Sequence, residues 1–350
     1  MKLSHVVNLV YGTPWFITEG TLRTIAEVVR VHVEGGRLTP EEVRERLDVA
    51  AAANGPRRGG QVVSSVGVIP VYGVIMPRAT LMTEYSGGAT VQGITRSFRE
   101  LLDDESVGSI LFDIDSPGGY VDGIDELATE IRAARGRKPI SAIADYVMAS
   151  AAYYIACQAD EVIASPSSLV GSIGCKLVHQ EFSKMDENLG ITTNIIAMPA
   201  AKVEGNEYEP LSEQARATLE QRVGDYYAQF VNAVAKGRGV TAAEVKAGYG
   251  EGRVLTAGRA KTAGLVDRVD TFDNTIRRLA TGKGPVSRGA SARIEHFDEH
   301  GQLMTREQAI ASLSEPSVEA DEPATPPDRS KEAEAALAIA RARTRQEATR

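Results

Sequence analysis

Histidine and cysteine are scarce in this chain, and each scarcity excludes a class of site. Only five of the 350 residues are histidine, and of these only His179 lies in the central part of the chain. A Ser-His-Asp triad there would depend on that residue, and no serine sits in a Gly-x-Ser-x-Gly turn. The two cysteines, Cys157 and Cys175, lie in apolar segments without the spacing of a zinc site or a disulfide framework. We therefore predict a protein without a metal, in a reducing compartment.

Long apolar runs and an excess of positive charge are also absent. No run reaches the roughly 18 apolar residues that a bilayer-spanning helix needs, and the first residues lack a secretory cleavage site. The formal net charge of -8 argues against a protein that mainly binds nucleic acid. No glycine-rich phosphate loop of the Walker type is present. The sequence predicts a cytoplasmic protein with no membrane insertion, no nucleic-acid partner and no cofactor.

Hydrophobic patterning divides the chain into three zones. Residues 1–60 carry helical periodicity and read as a helical N-terminal extension that ends in a glycine-rich and arginine-rich linker. Residues 61–281 alternate short β-rich runs with amphipathic stretches, which predicts an α/β fold whose sheet is covered by helices. Residues 282–350 are rich in proline and charge and are interpreted either as a flexible, low-complexity tail or as a scaffold-like segment that binds partners.

Ser150 stands where an apolar helix is predicted to begin, in the segment Asp145–Ala156. A serine hydroxyl is a poor nucleophile until a neighbouring base takes its proton. At the first turn of a helix, free backbone N–H groups favour a developing oxyanion. An ordinary helix-capping serine is the other interpretation of this residue, and the segment by itself does not decide between them.

Lysine can take the place of histidine as the base if a poorly solvated pocket lowers its pKa. Lys202 comes soon after the predicted strand Thr193–Ala197, and the seven residues that precede it are uncharged, which suits a desolvated amine. A loop lysine that extends into solvent is the alternative. Ser172, between Gly171 and Ile173, has a hydroxyl that can orient the lysine amine, or it is a simple turn serine.

Two glycines end another predicted strand, in the run Asp115–Gly119. Gly118 and Gly119 permit positive φ and allow backbone N–H groups to approach a substrate carbonyl with no Cβ in the way. A plain strand-to-helix turn would use the same residues. The run is therefore a candidate oxyanion site only in combination with Ser150 and Lys202.

Taken together, these motifs resemble the protease IV (signal peptide peptidase A) family of Ser-Lys peptidases. The matching runs are Asp115–Gly119, Met148–Tyr154, Gly171–Gly174, Lys202 and Ala263–Asp267. The resemblance covers about residues 61–281 and implies a Clp protease/crotonase-like fold. It also implies that Ser150 is the nucleophile, Lys202 the general base and Ser172 the orienting residue. Backbone N–H groups of Gly118 or Gly119 and of Ala151 would form the oxyanion hole.

A narrower resemblance points to the phage and prophage branch of that family. It rests on the runs Thr13–Ile17, Val68–Pro77 and Lys202–Ser212. The branch includes head maturation proteases, which implies capsid, portal or scaffold proteins as substrates and a ring-like homo-oligomer. Val66–Met76 and the predicted helix 212–236 are the surfaces expected to form subunit contacts.

Three alternatives to a capsid protease remain open from the sequence. One is a protease IV-like peptidase that degrades peptides in the bacterial cytoplasm. Another is a crotonase-like acyl-CoA enzyme, which would use the oxyanion N–H groups on a thioester without a serine nucleophile. The third is a non-catalytic assembly factor that uses the core as an oligomeric platform and the tail as its working part.

Overall fold

A computed structural model describes residues 13–33, 60–79, 88–285, 296–297 and 303–304. All of them lie in the first of the two units into which the chain divides, residues 1–312. The strands are Trp15–Ile17 (β1), Gln61–Val63 (β2), Val66–Tyr72 (β3), Ser109–Ser116 (β4), Gly118–Tyr120 (β5), Ile140–Ala149 (β6), Glu161–Ala164 (β7), Leu169–Gly171 (β8), Val254–Thr256 (β9), Arg268–Val269 (β10), His296–Phe297 (β11) and Leu303–Met304 (β12). The helices are Glu19–Val33 (α1), Val91–Asp103 (α2), Ile124–Ala133 (α3), Ala151–Ala156 (α4), Ser183–Asn188 (α5), Glu213–Arg238 (α6), Ala242–Gly248 (α7), Ala257–Ala263 (α8) and Phe272–Ala280 (α9), with a 3₁₀ turn at Ala200–Val203.

An eight-stranded sheet organises these elements, in the order β10-β7-β6-β4-β3-β2. Strands β3, β4, β6, β7 and β10 are parallel, and only the edge strand β2 in this row is antiparallel. Strand β8 lies parallel to the last part of β6 and pairs with β9. The strands of the parallel part are nearly continuous apolar runs, as expected for strands that are buried on both faces.

Helices cover both faces of the sheet. On one face, Leu279 of α9 packs in a cluster with Leu111 of β4 and Ile143 of β6. On the other, Phe98 of α2 stacks on Phe112 of β4 with ring centroids 5.7 Å apart. Successive residues of a strand point to opposite faces, so α2 and α9 lie on opposite sides of β4. The α/β class predicted from the sequence is confirmed.

The run Ala263–Asp267 attaches the long helix α6 to the sheet. Arg238, the last residue of α6, has a fully buried side chain that donates to the carbonyl of Gly264 and to the carboxylate of Asp267, both at 2.8 Å. Asp267 also accepts from the backbone N–H of Val162 in β7 at 2.8 Å. The buried guanidinium is therefore paired, which is the condition for tolerating such a charge inside a protein.

Several predicted elements form where the sequence places them, and two predictions are wrong. The strand Glu161–Ala164 and the long helix, observed as Glu213–Arg238, are confirmed. The predicted strand Thr193–Ala197 is irregular, and no described strand pairs with it to supply backbone partners. The run Val66–Met76 is buried between β2 and β4 in the sheet, so it cannot form the subunit contact expected of it.

The predicted N-terminal extension contributes a strand to the folded core. Strand β1 pairs antiparallel with β5, and its three side chains are at most 4% exposed. The helix expected from Thr39 to Leu47, the linker at 54–59 and the tail from residue 286 onward fall outside the described residues, apart from β11 and β12. The zone boundaries at 60 and 281 stay predictions. No helix in the described ranges combines the length and apolar content needed to cross a membrane.

Carboxylates gather on one face of the sheet near the end of β4. The hydroxyl of Tyr72 donates to Asp113, whose other carboxylate oxygen is buried and has no hydrogen-bond partner among the described residues. Burial, together with the smaller effect of the charges of Asp145 and Asp115, raises the pKa of Asp113 to about 6, against the opposing effect of the Tyr72 hydrogen bond. The ionised form of Asp113 therefore destabilises the fold.

We expect Asp113→Asn to stabilise the protein at pH 8 and to have little effect near pH 4. The folded-state pKa lies above the value of about 3.9 for a free aspartate, so the folded protein binds the proton more tightly and loses stability as pH rises from about 4 to about 6. Asparagine is neutral throughout, and the gain at pH 8 should be about 1–3 kcal/mol. Urea unfolding at both pH values, with the exposed Asp225→Asn as control, measures it. An equal effect of Asp113→Asn at both pH values would contradict this assignment.

Candidate active site

Ser150 occupies a strained turn between β6 and α4. Its backbone has φ 54° and ψ -118°, a conformation that residues other than glycine seldom adopt. The turn is held by hydrogen bonds from the Ser150 N–H to the carbonyl of Gly171 at 2.7 Å and from the Tyr154 N–H to the carbonyl of Ser150 at 2.9 Å. The side chain is fully buried, its Oγ does not cap α4, and the hydroxyl has no partner among the described residues. Ser150 is therefore not an ordinary capping serine.

Gly118 lies directly beside Ser150. A Cβ built on Gly118 would be 2.9 Å from the Cβ of Ser150 and 3.0 Å from the backbone nitrogen of Ala151, and it would overlap the carbonyl oxygen of Phe16. The φ of Gly118 is +103°, which also favours glycine. The structure thus brings together residues from two motifs that are separate in the sequence: Gly118 from one, and Ser150 with Ala151 from the other.

The two glycines of the β5 run have different backbone partners. The N–H of Gly118 donates to the hydroxyl of Ser116 at 3.2 Å. Ile75 donates to the carbonyl of Gly118 and accepts from the N–H of Tyr120, each at 2.9 Å. Because peptide groups alternate in direction along a strand, the N–H of Gly119 faces the opposite edge, where Phe16 is its partner in the pairing with β1.

Ser172 is the neighbour of Ser150 across the sheet. Gly171 pairs with Ala149 in the parallel ladder between β8 and β6. The residues that directly follow these two strands, Ser172 and Ser150, are therefore adjacent. Ser172 has φ 56°, is half-buried, and donates its N–H to the carbonyl of Arg253 at 2.8 Å. Adjacent strands lie about 4.8 Å apart, so the two serines are neighbours at this edge of the sheet.

Lys202 lies on the exposed 3₁₀ turn Ala200–Val203. Within the described residues its ammonium makes no hydrogen bond or ion pair, and the hydroxyl of Ser150 has no partner either. The desolvated environment expected for this amine is therefore not present in the single chain. The predicted strand before Lys202 does not form, so within the described residues no strand pairing holds that segment against the sheet.

His179 does not act as a base for Ser150 in place of Lys202. One of its ring nitrogens lies 3.1 Å from the carbonyl oxygen of Gly205 and 3.2 Å from that of Asn206. The ring also lines an open cavity of about 850 Å³ between the segment 173–181 and α6, and Ser150 does not line this cavity. In the described part of the chain, no group of three or more acidic, histidine or cysteine side chains is placed to hold a metal ion.

Sequence reasoning missed β1 as a part of this region. In the sequence, the run Thr13–Ile17 served only to indicate a branch of the family. In the structure, the carbonyl oxygen of Phe16 in this run lies against Gly118, next to Ser150. Its signal was available: Trp15 is the single tryptophan of the chain, set in an apolar triplet after Pro14. What the pattern could not provide was the partner strand.

Comparison with known proteins finds a family match for part of the chain. Residues 132–285 match the model of peptidase family S49. Capsid assembly protease C of Escherichia phage lambda is 28% identical over 344 residues, which cover 91% of this chain and 78% of that protein. Head-tail preconnector protein GP5 of Enterobacteria phage P21 is 29% identical over 300 residues, covering 83% of this chain and 60% of that protein.

More distant similarities extend beyond phages. Protease 4 of Salmonella typhi is 28% identical over 218 residues, covering 62% of this chain and 34% of that protein. Among solved structures, a ClpP1 mutant from Listeria monocytogenes matches 59% of this chain and 92% of its own, at 14% identity and a TM-score of 0.37.

Proposed function

We propose that this chain, which carries a peptidase family S49 domain, is a serine endopeptidase with Ser150 as its nucleophile. The family match and the protease-named relatives confirm the resemblance and the enzyme class predicted from the sequence. The observation that carries the assignment of the nucleophile is the turn itself. Ser150 combines a positive φ, a buried hydroxyl that has no partner among the described residues, and the backbone of Gly118 packed against its Cβ.

The proposed reaction begins with attack of the Ser150 hydroxyl on the carbonyl carbon of a peptide bond. The amine of Lys202, in its neutral form, takes the hydroxyl proton and later gives it to the leaving amine. The carbonyl oxygen becomes an oxyanion, which the backbone N–H groups of Ala151 and Gly119 stabilise. Gly119 is proposed as the glycine donor because its N–H faces the edge at β1, where Phe16 is its present partner, whereas the N–H of Gly118 is directed to Ser116. Water then releases the acyl group from Ser150.

Ser172 is proposed to hold the amine of Lys202 in line with Ser150. Its position as the next residue across the sheet supports this role, because a group between the two hydroxyls would contact both. A hydroxyl accepts a hydrogen bond from an amine and so fixes its orientation. This is a positioning role, and the proton is carried by Lys202.

Association of copies of this chain would cover Lys202. Four apolar side chains of the segment that precedes it are at least half exposed: Leu189 at 65%, Ile191 at 52%, Ile196 at 99% and Met198 at 92%. Apolar side chains exposed together mark an interaction surface. We propose that this segment, with the exposed first half of α6, is the subunit contact of a ring-like homo-oligomer. It replaces the buried run Val66–Met76 in that role.

The relatives from phage lambda and phage P21 support a substrate among the proteins of an assembling phage head, in the host cytoplasm or inside the procapsid. Capsid, portal and scaffold proteins are the proposed substrates, and residues 282–350 are proposed to recruit the enzyme to them. Tethering raises the local concentration of substrate without any change in the active site.

Co-expression with candidate head proteins tests this function. We expect new termini in a capsid, portal or scaffold protein by mass spectrometry, and none with the Ser150→Ala chain. Cleavage of unrelated peptides alone would favour a general protease IV-like peptidase. No cleavage of any peptide, together with turnover of an acyl-CoA thioester that persists in Ser150→Ala, would favour the crotonase-like alternative. Complete inactivity with normal head assembly in Ser150→Ala would favour an assembly factor.

A further inference from the structure

Strand β1 is held by backbone hydrogen bonds on both of its edges. On one edge it pairs antiparallel with β5, with Phe16 opposite Gly119, and the N–H of Thr18 donates to the carbonyl of Pro117 at 3.0 Å. On the other edge, Trp15 donates to the carbonyl of Lys176 at 2.8 Å and accepts from its N–H at 3.1 Å. The strand therefore lies between the glycine run and the segment that follows Ser172. An extended peptide added to a strand edge is bound in the same way.

The carbonyl of Phe16 lies at the site where the proposed reaction takes place. Its oxygen, the Cβ of Ser150 and the backbone nitrogen of Ala151 all surround the position that a Cβ on Gly118 would occupy, the last two at 2.9 Å and 3.0 Å from it. The pairing with Gly119 directs the peptide group of Phe16 toward the N–H that is proposed to stabilise the oxyanion. A substrate carbonyl cannot enter this space while Phe16 fills it.

The side chain of Phe16 fills an aromatic pocket beside the site. Its ring centroid is 4.9 Å from that of Phe230, 5.7 Å from that of Tyr154 and 6.3 Å from that of Tyr226. Tyr154 belongs to α4, the helix that begins after Ser150, and its hydroxyl donates to Asp125 at 2.7 Å. One wall of the pocket, Tyr154, thus belongs to the helix whose first turn holds Ser150.

We propose that β1 is an internal stand-in for the substrate: it occupies the substrate strand's place between Gly119 and Lys176, and Phe16 fills the pocket of the residue that precedes the scissile bond. This inference rests on the proposed function and adds its substrate class. The substrate is an extended polypeptide with an aromatic residue on the carbonyl side of the cleaved bond. It binds after β1 has left, so the chain with β1 in place is inhibited.

Two changes to the full chain loosen β1 in different ways. Trp15→Ala with Phe16→Ala removes both aromatic anchors, whereas Thr18→Pro removes the N–H that donates to Pro117 and the hydroxyl that bonds to Thr21, and keeps the buried side chains of β1. Both should raise the rate at which a fluorophosphonate labels Ser150, the double variant by at least about tenfold. Phe98→Ala is the matched control, because Phe98 is fully buried in the stack with Phe112, on a different helix. It should leave the labelling rate unchanged.

A synthetic peptide added to the loosened variants then tests whether the position vacated by β1 binds substrate. The hexapeptide Thr-Pro-Trp-Phe-Ile-Thr, with the sequence of residues 13–18, should compete with labelling of the loosened variants, and the same peptide with alanine for phenylalanine should compete at least about tenfold less well. Cleavage sites in a denatured protein digested by the loosened variants should follow aromatic residues.

The results separate this inference from the proposed function. Labelling of Ser150 that is unchanged or slower in both loosened variants, with their folded circular dichroism spectrum intact, would show that β1 is a permanent wall of the site and would overturn the inference alone. Equal competition by the two peptides would overturn the aromatic pocket. Absence of labelling in every variant would overturn the proposed function and this inference with it.

Discussion

Ser150→Ala and Lys202→Ala should each lower peptide cleavage by about four to six orders of magnitude, and the double variant should be little worse than either. The two residues are proposed to transfer the same proton, so removing either one already abolishes the transfer. The effects of the two mutations on the activation free energy therefore do not add. Lys202→Arg should be as inactive as Lys202→Ala, since a guanidinium in a protein does not give up its proton. Steady-state cleavage of a fluorogenic peptide by the four variants measures this.

Lys184→Ala is the matched control, because Lys184 is also an exposed lysine of the segment between Ser172 and α6. It should retain the activity of the unchanged chain. Ser172→Ala should fall between these extremes, because the amine loses its orientation but the nucleophile and base remain. Cleavage by Lys202→Arg at more than a few per cent of the normal rate would rule out Lys202 as the base.

Gly118→Ala should abolish cleavage because the added methyl group would block the position of the substrate carbonyl. Its methyl group would stand 2.9 Å from the Cβ of Ser150 and 3.0 Å from the nitrogen of Ala151, in the space that the substrate carbonyl needs. Exclusion of the carbonyl from the oxyanion donors should cost at least about two orders of magnitude in kcat/KM. The fluorophosphonate, whose phosphoryl oxygen uses the same donors, should label this variant equally poorly.

Gly136→Ala separates this effect from backbone strain. Gly136 has a comparable φ of +86°, but a Cβ there would meet nothing within 4 Å. This variant should lose about 1 kcal/mol of stability and keep its activity. Full activity in Gly118→Ala would show that the substrate carbonyl does not lie at Gly118.

The candidate site residues at the carboxyl ends of the parallel strands could largely be predicted from the sequence. Gly118 and Ser150 each follow an apolar run that forms a strand, β4 and β6 respectively, whereas the strand before Ser172, β8, was not predicted from the sequence. The carboxyl ends of parallel strands meet at one edge of a sheet, so motifs that follow those strands come together. Local sequence patterns therefore predicted most residues of the candidate site. The structure added the positive φ of Ser150 and the contact of its Cβ with Gly118.

The placement of Lys202 and of β1 was not predictable in the same way. The run Thr193–Ala197 has the composition of a strand, but a strand forms only where a neighbour supplies backbone partners, and no described strand does so. Trp15–Ile17 has three apolar residues and no periodicity, and its partners lie far along the chain at Tyr120 and Lys176. Pairing between distant segments depends on the assembled fold, which local propensity does not encode.

The most direct test of the central claim is the location of a covalent adduct. The full chain is treated with a fluorophosphonate, digested, and mapped by mass spectrometry. The proposed function predicts one modified residue, Ser150, with no adduct in Ser150→Ala and a much slower reaction in Lys202→Ala. An adduct on another serine, or equal labelling of Ser150→Ala, would contradict the assignment of Ser150 as the nucleophile.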